Sequence, residues 1–97
     1  MKEFRGSYVV NITPMTPDQE IDEQGLRDNI DWYVAEKTAG ICCCGSTGEF
    51  VSLTASERRR VAEVVVEQAA GRVPVIVGTT HETTRKTIEF TEEDFKV

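Results

Sequence analysis

Three short apolar runs, each followed by a longer stretch with helical periodicity, organise this chain. The first run, SYVVNITPM at residues 7–15, is closed by Thr-Pro. Valines and a tyrosine in so short a run predict a strand, and the Pro predicts the loop that ends it. Asp22 is placed as an N-cap. Leu26, Ile30, Tyr33 and Val34 fall at offsets of 0, 4, 7 and 8, one helical face, so a helix is predicted from Asp22 to about Lys37. AGICCCG, residues 39–45, is a second apolar run bounded by glycines and predicts a second strand. Thr54 and Glu57 have the T-x-x-E spacing of a capping box. The helix behind them carries Val61, Val64, Val65 and Gln68 at helical spacing and stops near Gly71, a residue suited to a left-handed terminus. VPVIVG, residues 73–78, is a third strand, with Pro74 at its start, where a missing N–H is tolerated. HETTRKTIEF opens a third helix, with Thr83 or Thr84 as its cap.

The order is βαβαβα, and the fold class is α/β in one domain spanning residues 1–97. The strands are continuous apolar runs without alternation, which predicts parallel strands covered on both faces. Each βα unit takes roughly 33 residues, the usual size of such repeats. Three units do not close a barrel; a (β/α)8 barrel takes about 250 residues. On its own, the third strand would keep an unpaired apolar edge. The pattern therefore fits a small open sheet or the first part of something larger.

Composition narrows the function classes. Apolar residues make up 39% of the 97 residues and charged residues 29%, as in ordinary globular proteins. A net charge of −6 argues against nonspecific binding to nucleic acid or to an anionic membrane. No apolar run approaches the ~18 residues of a membrane-spanning helix. The opening MKEFRGSYVVNITPM is too short and broken in its apolar part for a signal peptide, which predicts a cytoplasmic protein. The three cysteines are adjacent and odd in number, so they form no disulfide framework and fit a reducing compartment.

Those cysteines, 42 to 44, invite a metal or redox reading. On a strand, Cys42 and Cys44 would share one face and Cys43 would take the other. A zinc site needs four converging ligands, and only two cysteines and His81 could converge here. No Lys or Arg is placed in sequence to stabilise a thiolate. The expectation is therefore no metal and no cofactor, with the cysteines serving as small buried hydrophobes. Cys44, nearest the loop, is the one expected to be reactive.

Directly after the cysteines comes Gly45-Ser46-Thr47-Gly48. In parallel α/β proteins, ligands bind at the C-terminal ends of strands. Two glycines let the backbone turn sharply, and two hydroxyls with exposed N–H groups can donate to a carboxylate or a phosphate. No Gly-Lys-Ser/Thr follows, so it is not a P-loop. The competing reading is an ordinary βα turn of small residues.

GSTGEFVSLTASERRRV closely resembles the G-[ST]-T-G-E-x-x-x-L-[ST]-x-x-E-R pattern of the dihydrodipicolinate synthase and N-acetylneuraminate lyase family. VVNITPMTPDQEIDEQGLRDNIDWYV is similar to that family's first strand and helix, and GRVPVIVGT to its third strand. The resemblance runs from residue 6 to about 91. It implies a TIM barrel, of which this chain carries the first three βα units, and a Schiff base between a lysine and pyruvate or another 2-keto acid, with an aldehyde co-substrate. It implies that Ser46 and Thr47 hold the keto-acid carboxylate and that Thr47 joins a proton relay. It also implies a homotetramer for a full-length member.

By the same resemblance, Glu49 is structural, accepting backbone N–H bonds where the loop enters the helix, and Thr79 is a weaker site candidate. The family's catalytic lysine and tyrosine would fall beyond residue 97. Lys2, Lys37, Lys86 and Lys96 lie outside the predicted strands and are read as solvated, so none is assigned a catalytic role. Tyr8 and Tyr33 are read as packing residues, His81 as solvated, and Trp32 as covering a helix–helix contact. The ending EFTEEDFKV departs from the family pattern after about Thr91. Some members bind lysine as a feedback inhibitor near the start of the second helix. The matching stretch here has Phe50, Ala55, Arg58 and Glu82, which speaks against lysine feedback. The alternative function is a non-catalytic carboxylate-binding or interaction module.

Overall fold

A computed structural model describes residues 4–94 and Lys96; the expectation for Lys2 lies outside them. Strand β1 is Tyr8–Val10, helix α1 Glu23–Ala35, strand β2 Gly40–Cys43, helix α2 Ala55–Ala69, strand β3 Val75–Val77 and helix α3 Thr84–Asp94. A 3-10 turn at Phe50–Ser52 precedes α2. The three strands are parallel in the order β1-β2-β3.

The helix signals act as their chemistry requires. Asp22 caps α1 by accepting from the Gly25 N–H at 2.9 Å. Thr54 and Glu57 form the reciprocal capping box of α2, with bonds of 3.1 and 2.8 Å. Thr83 accepts from the Lys86 N–H at 3.1 Å and so caps α3. Helix α1 stops two residues earlier than expected, with Lys37 left-handed at φ 65°. At the end of α2 the chain turns through two left-handed residues, Ala70 and Gly71. Helix α3 runs on past Thr91 to Asp94.

The core lies between the sheet and the helices. Leu26 and Ile30 of α1, Ile41 and Cys43 of β2, and Val61, Val64 and Val65 of α2 are all fully buried. Each such aliphatic side chain contributes roughly 1.5–3 kcal/mol on burial. The α1–α2 seam is closed outside by Arg60 on Glu23, at 2.7 and 2.8 Å, and by Arg72 on Asp31 at 2.7 Å. These pairs are exposed and add little to stability. Trp32 does not cover this seam. It is 61% exposed. It stands six residues from Leu26, which is the far side of a helix with 3.6 residues per turn.

The sheet is covered on one face only, which corrects the expectation of two. In register, Val10 pairs with Cys42 and Cys42 with Ile76. This row lies on the face away from the helices, and Val10 and Ile76 stay 47% and 43% exposed. The alternate row, Val9, Ile41 and Val75, turns toward the helices. An apolar run reads the same whether its second face meets a helix or another part of a closed sheet, so the pattern could not separate the two. Tyr8 packs on the bare face against Gly40, where a β-carbon would collide with its ring.

Candidate functional site

The strand carrying the cysteines is shorter than its apolar run. It ends at Cys43, because Cys44 takes φ 58°, a left-handed conformation that costs a non-glycine residue roughly 1–2 kcal/mol. This overturns the strand alternation expected for the three. Cys42 is half-buried on the bare face. Cys43 is buried under the helices, and Cys44 swings out of the strand to be buried as well. The Cys44 thiol donates to the Arg58 carbonyl at 3.6 Å.

An arginine therefore does stand beside Cys44, contrary to the sequence reading. Hydrogen bonding from Cys43, opposed by burial and aided by the charge of Arg58, holds the Cys44 thiol below its ordinary value. The same hydrogen bond and burial push Cys43 far up. Cys44 is only 2% exposed, so the reactivity expected of it has no access route. Among the described residues no group of three or more His, Cys, Asp or Glu side chains could hold a metal ion.

From Cys44 the chain enters the Gly45–Gly48 turn at the C-terminal end of β2. Ser46 and Thr47 are exposed. Their hydroxyls bond to nothing among the described residues, and the amides of Ser46, Thr47 and Gly48 meet no protein acceptor there either. The turn is nonetheless firmly held. The Glu49 N–H donates to the Ser46 carbonyl at 3.0 Å and the Phe50 N–H to the Gly45 carbonyl at 3.3 Å. Thr13, 7% exposed, donates its hydroxyl to the Gly48 carbonyl at 2.8 Å across 35 residues of sequence. Gly48 is buried so closely that a β-carbon would lie 3.2 Å from both the Asn11 carbonyl and the Thr13 hydroxyl. The turn thus presents a set of free donors on a fixed backbone, which suits an oxyanion.

Other expectations fare unequally. Glu49 makes no side-chain cap; it is exposed at φ 58° and serves the 3-10 turn through its backbone alone. Thr79 accepts the Thr91 hydroxyl at 2.9 Å, so its oxygen is engaged at the α3 side. His81 is exposed and stacks on Phe90 with ring centroids 5.5 Å apart. Lys37, Lys86 and Lys96 are exposed, the latter two paired with Glu89 and Glu93. Phe50, Ala55, Arg58 and Glu82 all line a cleft of about 280 Å³ between the start of α2 and α3.

The anchoring residues were missed. Thr13 lay within the T-P-M element and Arg58 within the E-R pair, but a motif gives no contact. Arg58 is 4% exposed and donates to the Gly78 and Thr80 carbonyls at 3.0 and 2.8 Å. Its guanidinium lies between the Phe50 and Phe90 rings, 5.1 and 4.3 Å from their centroids.

Comparison with known proteins supplies the context. Residues 3–97 match the dihydrodipicolinate synthetase family, so the match runs through the ending that departed from the expected pattern. The 4-hydroxy-tetrahydrodipicolinate synthase of Thermomicrobium roseum is 54% identical over 88 residues, covering 91% of this chain and 29% of that enzyme. That of Acidithiobacillus ferrooxidans is 44% identical over 94 residues, covering 97% and 32%. The chain thus spans 29% and 32% of the length of these two curated relatives. Among solved structures, the dihydrodipicolinate synthase of Acinetobacter baumannii complexed with pyruvate superposes with a TM-score of 0.94 at 32% identity, covering 97% of this chain and 32% of that one. The N-acetylneuraminate lyase of Mycoplasma synoviae gives a TM-score of 0.88 at 30% identity, covering 96% and 32%.

Proposed function

The chain belongs to the dihydrodipicolinate synthetase family, and from that membership we propose that it forms the first three βα units of a (β/α)8 barrel enzyme. In this reading the Gly45–Gly48 turn grips the carboxylate of pyruvate or another 2-keto acid. The observation that carries the reading is the set of unpartnered donors on Ser46 and Thr47 at the C-terminal end of β2. Each charge-assisted bond from such a donor is worth roughly 1.5–3 kcal/mol. The bare apolar sheet face and the unpaired edge of β3 support the barrel, since closure would cover the first and pair the second.

The reaction class is that of a Schiff-base lyase or synthase with an aldehyde as second substrate, in a cytoplasmic homotetramer. Its nucleophilic lysine belongs to a later part of the barrel. Lys37, Lys86 and Lys96 are exposed, not held in the dry pocket a nucleophilic lysine needs. Thr47 would bind the carboxylate and pass a proton to and from the lysine adduct through its hydroxyl. Phe50 and Arg58 occupy the cleft at the start of α2 with aromatic and guanidinium groups, which argues against lysine feedback there. No described helix is long and apolar enough to cross a membrane.

The exposure of those lysines also favours a second reading for the 97 residues alone, a carboxylate-binding module without chemistry. Borohydride reduction with pyruvate distinguishes the two. The chain by itself is expected to keep its mass, whereas a protein that completes the barrel is expected to gain a pyruvate adduct. In that complete protein, Thr47→Val should cut turnover about tenfold or more, the cost of one lost charge-assisted bond. Unchanged kinetics would reduce the loop to a simple turn.

A further inference from the structure

We propose that Cys44 is a positioning residue: its thiol, bonded to the Arg58 carbonyl, holds the left-handed turn that aims the Gly45–Gly48 loop at its ligand. That the ligand is a keto-acid carboxylate rests on the function proposed above; the hold on the loop does not.

The turn out of β2 occurs at one residue. Cys44 sits at φ 58°, a conformation that glycine would reach freely. Cysteine gives up that freedom and supplies a buried donor instead, with Sγ 3.6 Å from the Arg58 carbonyl. On the other side, the Cys44 carbonyl is pressed by Gly78, where any β-carbon would collide with it. The Gly78 N–H donates to the Cys43 carbonyl at 2.9 Å. Arg58 closes the arrangement, because its side chain bonds the Gly78 carbonyl at 3.0 Å and the Thr80 carbonyl at 2.8 Å. One residue of α2 thus ties the ends of β2 and β3 together, holding Cys44 by its backbone and Gly78 by its guanidinium. The loop amides that follow inherit their direction from this point.

Two amides report on the loop directly: Glu49, bonded to the Ser46 carbonyl, and Phe50, bonded to the Gly45 carbonyl. Hydrogen exchange of these amides, measured by NMR on this chain, is taken as the ratio of variant to unaltered chain, with Leu26 and Val65 reporting any global loss of stability separately. Cys44→Ala should raise the ratio about three- to tenfold, since one buried bond is lost locally. Cys44→Ser keeps a donor and should return the ratio to within about twofold of unity. If Cys44→Ala does not fold, Cys44→Gly removes the donor together with the strain and should also raise the ratio. A ratio near unity in the donorless variant, or equal ratios in Ala and Ser, overturns the proposal. In a complete barrel protein, the keto-acid KM should rise in Cys44→Ala and recover in Cys44→Ser, with kcat within about twofold for loss of a single positioning bond. If exchange responds as stated while the keto-acid KM stays fixed, the thiol's hold on the loop stands and the carboxylate reading fails.

Discussion

Thr13→Val isolates one bond that reaches from the segment after β1 to the candidate loop. Valine keeps the β-branched shape, so packing and backbone preference change little, and the substitution amounts to a hydroxyl exchanged for a methyl. The hydroxyl donates to the Gly48 carbonyl at 2.8 Å, Thr13 is 7% exposed, and Gly48 is buried. Water cannot readily replace the lost donor. The carbonyl then bears its desolvation cost, about 1–3 kcal/mol, against about 0.5–1.5 kcal/mol for an average bond. The structure favours the upper range for a further reason. A β-carbon added at Gly48 would already lie 3.2 Å from the Asn11 carbonyl, so the loop has little room to settle toward a new partner. Thr16→Val is the matched control, because its hydroxyl accepts an exposed bond of 3.2 Å from the Glu20 N–H, and a change within about 0.5 kcal/mol is expected. Urea unfolding of both variants, followed by circular dichroism, gives the comparison through the shift in midpoint at constant slope. Equal shifts for Thr13→Val and Thr16→Val, or a loss below about 0.5 kcal/mol for Thr13→Val, would refute the claim that this bond anchors the loop.

Gly78→Ala should be among the most damaging single changes, because its β-carbon would strike the backbone of Cys44 and force β2 and β3 apart; a loss of more than about 2 kcal/mol in the same assay is expected, and a neutral result would show that the two strand ends can separate. Acid should destabilise the chain through Glu23 and Asp31, whose carboxyls are held below their ordinary values of 4.5 and 3.8 chiefly by hydrogen bonds from Arg60 and Arg72. Since their folded values are lowered, the stability they add is present above the ordinary carboxylate range and is lost as pH falls through the folded values; Tm should drop over that interval, less steeply in Glu23→Gln. Asp94, pushed up by burial, opposes them in sign, its contribution present at low pH and lost as pH rises. Cys42→Ala and Cys43→Val should each change stability by on the order of 1 kcal/mol through packing, and the purified chain should carry no stoichiometric zinc or iron by elemental analysis. Bound metal that disappears in Cys42→Ala would contradict the packing role.

What could be read from residue order was local. Asp22, Thr54 and Glu57 cap helices because their side chains bond amides three residues away, and such spacing is visible in a string of letters. Leu26, Ile30, Val61, Val64 and Val65 reach the core because helical periodicity assigns them one face. The candidate loop was legible for a similar reason: its glycines and hydroxyls are contiguous. The misreading of Cys44 lies where distant residues meet. Cys44 leaves the strand beside the Arg58 carbonyl of α2 and against Gly78 just after β3, neither of which is its neighbour in sequence. Trp32 was given an interface from its size alone, although its position on the helix turns it outward. Glu49 was expected to accept backbone N–H bonds where the loop enters the helix, but its side chain makes none there.

The spatial order of the strands repeats their order in the chain. β2 and β3 each pair with the strand made just before them, so these two pairings await nothing from further downstream. Ribosomes add roughly 5–20 residues per second, and a loop of some thirty residues closes far faster than the next such unit is made. In the proposed barrel the sheet would extend at one edge while translation proceeds, with β3 as its growing margin. The same geometry leaves the nascent molecule with an apolar face that Val10 and Ile76 keep in contact with water. In the barrel proposed above, closure would cover that face, and until then it is the surface a holding chaperone would meet.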